Sequence, residues 1–148
     1  MHLLELGGFF MIPLLICSIL MLAIIGERLY VFLTTMKEPL IEWEEPDGVV
    51  KDLRRNLMAL YTITVIAPML GLIGTVIGLM KSFHLLSGQV GNYNPQVLSQ
   101  GISEALITTA TGLIIAVVAI IFYNYFHARL EAYVYDYNID IKDENRHE

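Results

Sequence analysis

The stretch GISEALITTATGLIIAVVAIIFYNYF, residues 101–126, decides the fold of this chain. It is long enough to cross a bilayer, because about 20 mostly apolar residues span the hydrocarbon core at a helical rise of roughly 1.5 Å per residue. Glu104 is its only acidic or basic residue. A carboxylate within a span costs on the order of 3 kcal/mol on insertion scales, so Glu104 points to ion or proton handling.

The depth of Glu104 depends on where its helix starts. A helix capped near Gly101 would leave Glu104 in the first turn, in headgroup water, where a carboxylate complements the helix dipole. A helix that starts at Asn94-Pro95 has an asparagine cap and a proline in its first turn, and it places Glu104 about 14 Å along the axis. We favour the second start because its capping chemistry is the more specific, and the first remains the alternative.

The composition indicates a membrane protein, since 55% of the 148 residues are hydrophobic and only 16% are charged. With three spans, all but one of the nine Lys and Arg residues fall on one side of the membrane. The positive-inside rule assigns that side to the cytoplasm. We therefore expect the N-terminus in the periplasm and the C-terminus in the cytoplasm.

The pattern of apolar and polar segments divides the chain into four parts. Residues 1–33 form a first transmembrane helix and residues 34–56 a short cytoplasmic connection. Residues 57–126 hold the second and third transmembrane helices, with a periplasmic loop at 84–94 between them. Residues 127–148 form a cytoplasmic tail that continues the third helix, with the last six residues expected to fray.

The first apolar run, Leu6 to Gly26, ends at the charged pair Glu27-Arg28. These two side chains can pair at the membrane edge, and the arginine can snorkel toward the headgroups. The second helix is expected to begin near Asp47 or Gly48, before it enters the bilayer.

Small residues recur in the two later spans and predict close helix packing. They are Gly71, Gly74, Gly78 in the second span and Thr108, Gly112, Ala116 in the third. We expect the second helix to approach a neighbouring subunit through Gly74 and Gly78.

Hydroxyl groups are dense around Glu104. At 3.6 residues per turn, Thr108 and Thr111 share the face of Glu104, whereas Thr109 is turned well away. Thr75 offers a further hydroxyl in the second span, which can also bond back to a carbonyl of its own helix.

Two segments carry a resemblance: APMLGLIGTVIGLMKSF (residues 67–83) and LSQGISEALITTATGLIIAVVAIIFYNYF (residues 98–126). Together they resemble the paired signature of the ExbB/TolQ/MotA proton-channel family, most closely its ExbB/TolQ branch. Gly-Glu-Arg-Leu at 26–29 is similar to what closes the first span there. The resemblance implies an all-α homopentameric ring in the bacterial inner membrane, with a pore lined by long second and third helices that extend into the cytoplasm.

The resemblance also implies partners and pathway residues. An ExbD/TolR-like protein places single helices with an essential aspartate inside the pore, and a TonB- or TolA-like protein receives the work. Glu104 matches the family's pore glutamate, while Thr75 and Thr109 match its two threonines. Thr108 joins this set through its position on the Glu104 face.

The function so implied is conversion of the proton motive force into mechanical work for TonB-dependent import. A TolQ-like role in the Tol-Pal envelope system and a non-conducting scaffold are the alternatives. No catalytic residues, metal, cofactor or nucleic-acid partner are predicted. The connection at 34–56 is much shorter than the large cytoplasmic insertion of most relatives, so no role of that insertion carries over, and a flagellar MotA-like stator is disfavoured.

Overall fold

The computed structural model describes residues 11–35, 46–87 and 95–147, and all of them lie in α-helices. In chain order these are α1 (Met11–Thr35, 25 residues), α2 (Pro46–Ser87, 42 residues) and α3 (Pro95–His147, 53 residues). The predicted all-α fold with three long helices is confirmed for this part of the chain. The ring stays a prediction.

Each helix contains a stretch long and apolar enough to cross a membrane: Met11–Thr34 in α1, Val50–His84 in α2 and Leu98–Ile139 in α3. Because a bilayer core needs only about 20 residues, α2 and α3 have length to spare. Many large apolar side chains point outward along all three helices; Leu22 is 59% and Leu72 is 60% exposed. Such outward apolar surfaces are suited to lipid or to another subunit.

Helices α2 and α3 form an antiparallel hairpin with a constant register. The rings of Tyr61 and Tyr123 lie 5.2 Å apart near one end. Thr75 follows Tyr61 by 14 residues and Thr109 precedes Tyr123 by 14, and these two threonine hydroxyls are again in contact. The two contacts are therefore separated by about 21 Å on both helices, so the register of α2 against α3 is the same at both contacts.

Helix α1 packs against the hairpin through a continuous row of apolar side chains. The phenyl rings of Phe32 in α1 and Phe126 in α3 are 5.1 Å apart, and Phe126 is fully buried. The same cluster contains the following buried side chains of α1 and α2: Leu14, Met21, Ile25, Leu53, Leu57, Leu60. The core thus lies where all three helices meet.

The helix starts agree with the capping chemistry better than the helix ends do. Helix α3 starts at Pro95 as predicted, although Asn94 itself lies outside the described residues. Helix α2 starts at Pro46, one residue before the predicted cap. Helix α1 ends at Thr35, two residues after the predicted limit at 33, and α3 stays helical to His147 where fraying was expected. Residues 1–10, 36–45 and 88–94 of the predicted segments lie outside the described part.

Candidate proton pathway

A pair of threonine hydroxyls joins α2 to α3 within their apolar stretches. The hydroxyls of Thr75 and Thr109 are in direct contact. The Thr109 hydroxyl donates to the carbonyl oxygen of Gly71 at 3.0 Å. The Thr75 hydroxyl lies 3.2 Å from the carbonyl oxygens of both Gly71 and Ala105, either of which can accept its proton. Two side-chain hydroxyls and two carbonyls from both helices therefore form one polar cluster in otherwise apolar surroundings.

This cluster exists because α2 carries glycine where the backbone of α3 passes. A Cβ on Gly71 would lie 3.1 Å from the Cα of Thr109 and 3.2 Å from the carbonyl oxygen of Thr108. One helical turn before Gly71 in α2, the carbonyl oxygen of Ala67 would lie only 2.5 Å from a Cβ on Gly112. The predicted close packing at Gly71 and Gly112 is thus found, and it brings two helices of one chain together.

Gly78 packs within the hairpin. A Cβ on Gly78 would lie 3.0 Å from the Cβ of Ala105 in α3 of the same chain. The approach of Gly78 to a neighbouring subunit stays a prediction. Gly74 is buried in the same chain.

Gly101 is a close-approach residue that sequence reasoning missed. A Cβ there would overlap the side chain of Ser82, which is 2% exposed and donates to the carbonyl oxygen of Gly78 at 2.9 Å. Its signal in the sequence is its position, because Gly101 falls on the α3 face that also presents Ala105 and Gly112 to α2.

Glu104 lies apart from the threonine pair. Its position is about 140° around α3 from Thr109 and about 40° from the buried Thr108, so its side chain leaves the helix at the flank of the face that meets α2. The side chain is partly exposed, and within the described part of the chain its carboxylate makes no hydrogen bond or ion pair. Its backbone carbonyl accepts a hydrogen bond from the buried Thr108 hydroxyl at 2.8 Å. The structure thus brings Thr75 and Thr109 together and leaves Glu104 free to face a neighbour or a pore.

The hydroxyls that share the Glu104 face bond within their own helix. The Thr111 hydroxyl donates to the carbonyl oxygen of Ile107 at 2.8 Å, one turn back, as the Thr108 hydroxyl does to Glu104. The residue that bridges the helices is Thr109, which periodicity had turned away from Glu104. The resemblance, not the periodicity, identified it.

The membrane-edge pair Glu27-Arg28 forms a polar joint between α1 and α2. Arg28 is 4% exposed and donates through Nη2 to the carbonyl oxygen of Asp52 at 3.4 Å, with the Glu27 carboxylate 3.5 Å away. The Asn56 side chain donates to the same carboxylate at 2.8 Å. The predicted pairing of Glu27 with Arg28 is found, but the arginine does not snorkel outward, because it points into the helix bundle.

Candidate metal ligands do not cluster in residues 11–35, 46–87 and 95–147: no three His, Cys, Asp or Glu side chains come together there in a way that could hold an ion.

Fold and site define a multi-pass helical membrane protein with an interhelical hydroxyl pair, and with Glu104 nearby, inside its two longer apolar stretches. Residues 41–139, two thirds of the chain, match the MotA/TolQ/ExbB proton channel family. The chain belongs to that family, which confirms the resemblance read from residues 67–83 and 98–126.

Individual relatives carry ExbB and TolQ names. The biopolymer transport protein ExbB of Helicobacter pylori is 36% identical over 109 residues, which cover 74% of this chain and 72% of that protein. ExbB of Salmonella typhimurium is 43% identical over 74 residues, covering 50% of this chain and 30% of that protein. The Tol-Pal system protein TolQ of Haemophilus influenzae is 39% identical over 88 residues, covering 60% and 38%. The chain therefore spans well under half the length of several of the curated relatives it matches.

Proposed function

We propose that this chain is the pore-forming subunit of an inner-membrane proton channel, not an enzyme, and that proton flow through it performs mechanical work. The observation that carries the proposal is Glu104, an unpaired carboxylate within an apolar helix, one and a half turns from the Thr75–Thr109 hydroxyl pair. An ionisable group at that depth is expensive and is retained for transport. Membership of a proton channel family supports the same role.

The proposed assembly is a homopentamer with α2 and α3 around a central pore. Its support lies in the outward apolar side chains of both helices and in the direction of Glu104, which leaves α3 at the flank of its contact with α2 and is partly exposed. A single-span ExbD/TolR-like partner with an aspartate occupies the pore, and a TonB- or TolA-like protein takes up the work. The N-terminus is periplasmic, with residues 34–56 and 127–148 in the cytoplasm, because the basic residues concentrate there.

The proposed working step is a change of charge at Glu104. Moving a carboxylate past apolar surface is costly, whereas the protonated acid passes at a far smaller cost. Proton uptake by Glu104 from the periplasmic side would therefore allow the pore helices to move relative to the partner's aspartate. Release of the proton to the cytoplasm would complete the step. The Thr75 and Thr109 hydroxyls, with Thr108 beside Glu104, supply positions for water along the route.

The substitution Glu104→Gln tests this function in the channel complex reconstituted with its partner. The amide keeps the shape of the side chain but cannot carry a proton, so we expect normal assembly by native mass spectrometry and loss of proton flux. Glu27→Gln is the matched control at the membrane edge, and its flux should stay at the wild-type level. Wild-type proton flux in the Glu104→Gln complex would reject the role of Glu104. A wild-type complex that passes no protons would reject the channel function and favour the scaffold.

A specific observation keeps the Tol-Pal role as the second candidate: TolQ of Haemophilus influenzae is as similar to this chain as its ExbB relatives are. Complementation separates the two. Restored import in a strain that lacks its ExbB assigns the TonB-dependent system, whereas restored envelope integrity in a strain that lacks TolQ assigns the Tol-Pal system.

A further inference from the structure

A second group of titratable side chains lies at the end of the hairpin where the chain turns basic. The imidazole Nε2 of His127 is 3.2 Å from the Glu131 carboxylate, one helical turn further along α3. The His127 ring also stacks on the ring of Tyr123, with centroids 5.5 Å apart and planes 9° from parallel. Tyr123 in turn contacts Tyr61 of α2. These four side chains, which we call the Tyr-His-Glu group, form one continuous contact across the two helices.

The depth of this group follows from the hairpin register. Asn56, which binds Glu27 at the membrane edge, lies five residues before Tyr61 in α2. His127 lies four residues after Tyr123 in the antiparallel α3, so it sits within a few ångströms of the level of Asn56. The side chains of His127 and Glu131 are 46% and 65% exposed. The group is thus level with the polar joint at Glu27 and Arg28, and its ionisable side chains are exposed on the single chain.

His127 also stands in a definite relation to the threonine pair. It lies 18 residues after Thr109, which is five full turns, so the two side chains leave α3 on the same side about 27 Å apart. Between them that side of the helix carries only residues that do not titrate near neutral pH: Gly112, Leu113, Ala116, Ile120, Tyr123. His127 is consequently the first side chain beyond Thr109 on this side whose side-chain type binds and releases protons near neutral pH.

We infer that His127 and Glu131 form the proton-release station of the channel, which passes protons from the pathway to bulk water at the cytoplasmic end. This inference rests on the proposed channel function. The imidazole Nδ1 accepts a proton from water in the pathway, and the resulting imidazolium donates from Nε2 to the Glu131 carboxylate. A buffer base then removes one proton and restores the neutral ring, so that one proton enters and one leaves in each cycle. Tyr123 holds the ring in place by stacking, with Tyr61 behind it.

The substitution His127→Phe tests the station in inverted membrane vesicles, whose outer surface is the cytoplasmic one. Phenylalanine keeps the aromatic stack on Tyr123 but binds no proton. At low external buffer we expect proton flux through the complex to fall several-fold, and the impermeant buffer MOPS added outside should restore it by taking over the transfer. His84→Phe, the same exchange near the other end of α2, should show no response to external MOPS.

The outcomes separate the station from the channel itself. Full flux in His127→Phe at low buffer, together with no flux in Glu104→Gln, overturns the station and leaves the channel intact. A loss in His127→Phe that MOPS does not restore shows that the ring only packs, and also overturns the station. An equal MOPS response in His84→Phe does the same. Absence of proton flux in the wild-type complex rejects the channel function on which the station depends.

Discussion

Gly112 is the glycine with the closest backbone atom of the facing helix, since a Cβ there would lie 2.5 Å from the carbonyl oxygen of Ala67. We expect Gly112→Ala to lower the free energy of unfolding by about 1–3 kcal/mol, because a backbone carbonyl must move to admit the methyl group. Gly26→Ala is the control, since nothing lies within 4 Å of its added Cβ. That variant should be neutral or gain up to about 1 kcal/mol from helix propensity.

These two alanine variants are compared by titrating the micelle-bound protein with dodecyl sulfate and following the loss of helix by circular dichroism. Equal transitions for both variants would mean that α2 and α3 do not approach as closely at Gly112 as the structure has them.

The Thr109 hydroxyl should contribute to stability as well as to the pathway, because it bonds to Gly71 across the hairpin. Thr109→Val removes that bond and the contact with Thr75, and the expected loss in unfolding free energy is about 1 kcal/mol. Thr111→Val is matched to it, since the Thr111 hydroxyl bonds only within α3. The same titration measures both, and a loss at Thr111 as large as that at Thr109 would contradict the bridging role.

The site residues show what a sequence can and cannot supply. Glu104 was identified from the free-energy cost of a carboxylate in the membrane alone, because such a group in an apolar stretch is unusual whatever surrounds it. Thr109 could not be found in that way. Helical periodicity measures angles from a chosen reference, and with Glu104 as the reference Thr109 appeared to face the wrong side, whereas its partner Thr75 lies in another helix.

At the scale of elements, Arg28 determines how α1 is attached. Arg28→Ala removes the hydrogen bond to Asp52 and leaves a cavity, so we expect a loss of about 2–5 kcal/mol and faster hydrogen–deuterium exchange in α1. Arg28→Met fills most of the same volume without a charge. Because a buried ionic group can be replaced by a well-packed apolar one at little cost, we expect exchange close to the wild type there. Equal acceleration in both variants would show that the charge, and not the filled space, holds α1.

Helix ends were harder to predict than helix starts for a related reason. Pro95, next to a capping asparagine in the sequence, marks a helix start locally, because proline is favoured in the first turn of a helix. Glu27 and Arg28 look like an end, since charges follow a long apolar run. Helix α1 nevertheless continues, because Arg28 donates a hydrogen bond to α2 and the Phe32 ring packs against Phe126 of α3. Those partners are distant in sequence, so no local pattern reports them.

For the whole molecule, the proposed orientation gives a labelling experiment. In a background with Cys17, the only cysteine, replaced by alanine, we expect a cysteine at Gly91 to react with an impermeant maleimide in cells with a permeable outer membrane. A cysteine at Lys142 should react only after the inner membrane is opened. The reverse pattern would place the basic segments in the periplasm and contradict the positive-inside assignment.

The constant register of α2 and α3 has a mechanical consequence. Sliding one helix along the other by a turn, about 5.4 Å, would bring the Ala67 carbonyl from Gly112 against Thr108 or Ala116, both of which carry a Cβ. Gly71 and Gly101 impose the same restriction at two other levels. The hairpin therefore behaves as a stiff strut that transmits force along its length without telescoping. In a channel that performs work, movement therefore takes place around the rigid hairpin, at its contact with α1 and at the borders between subunits.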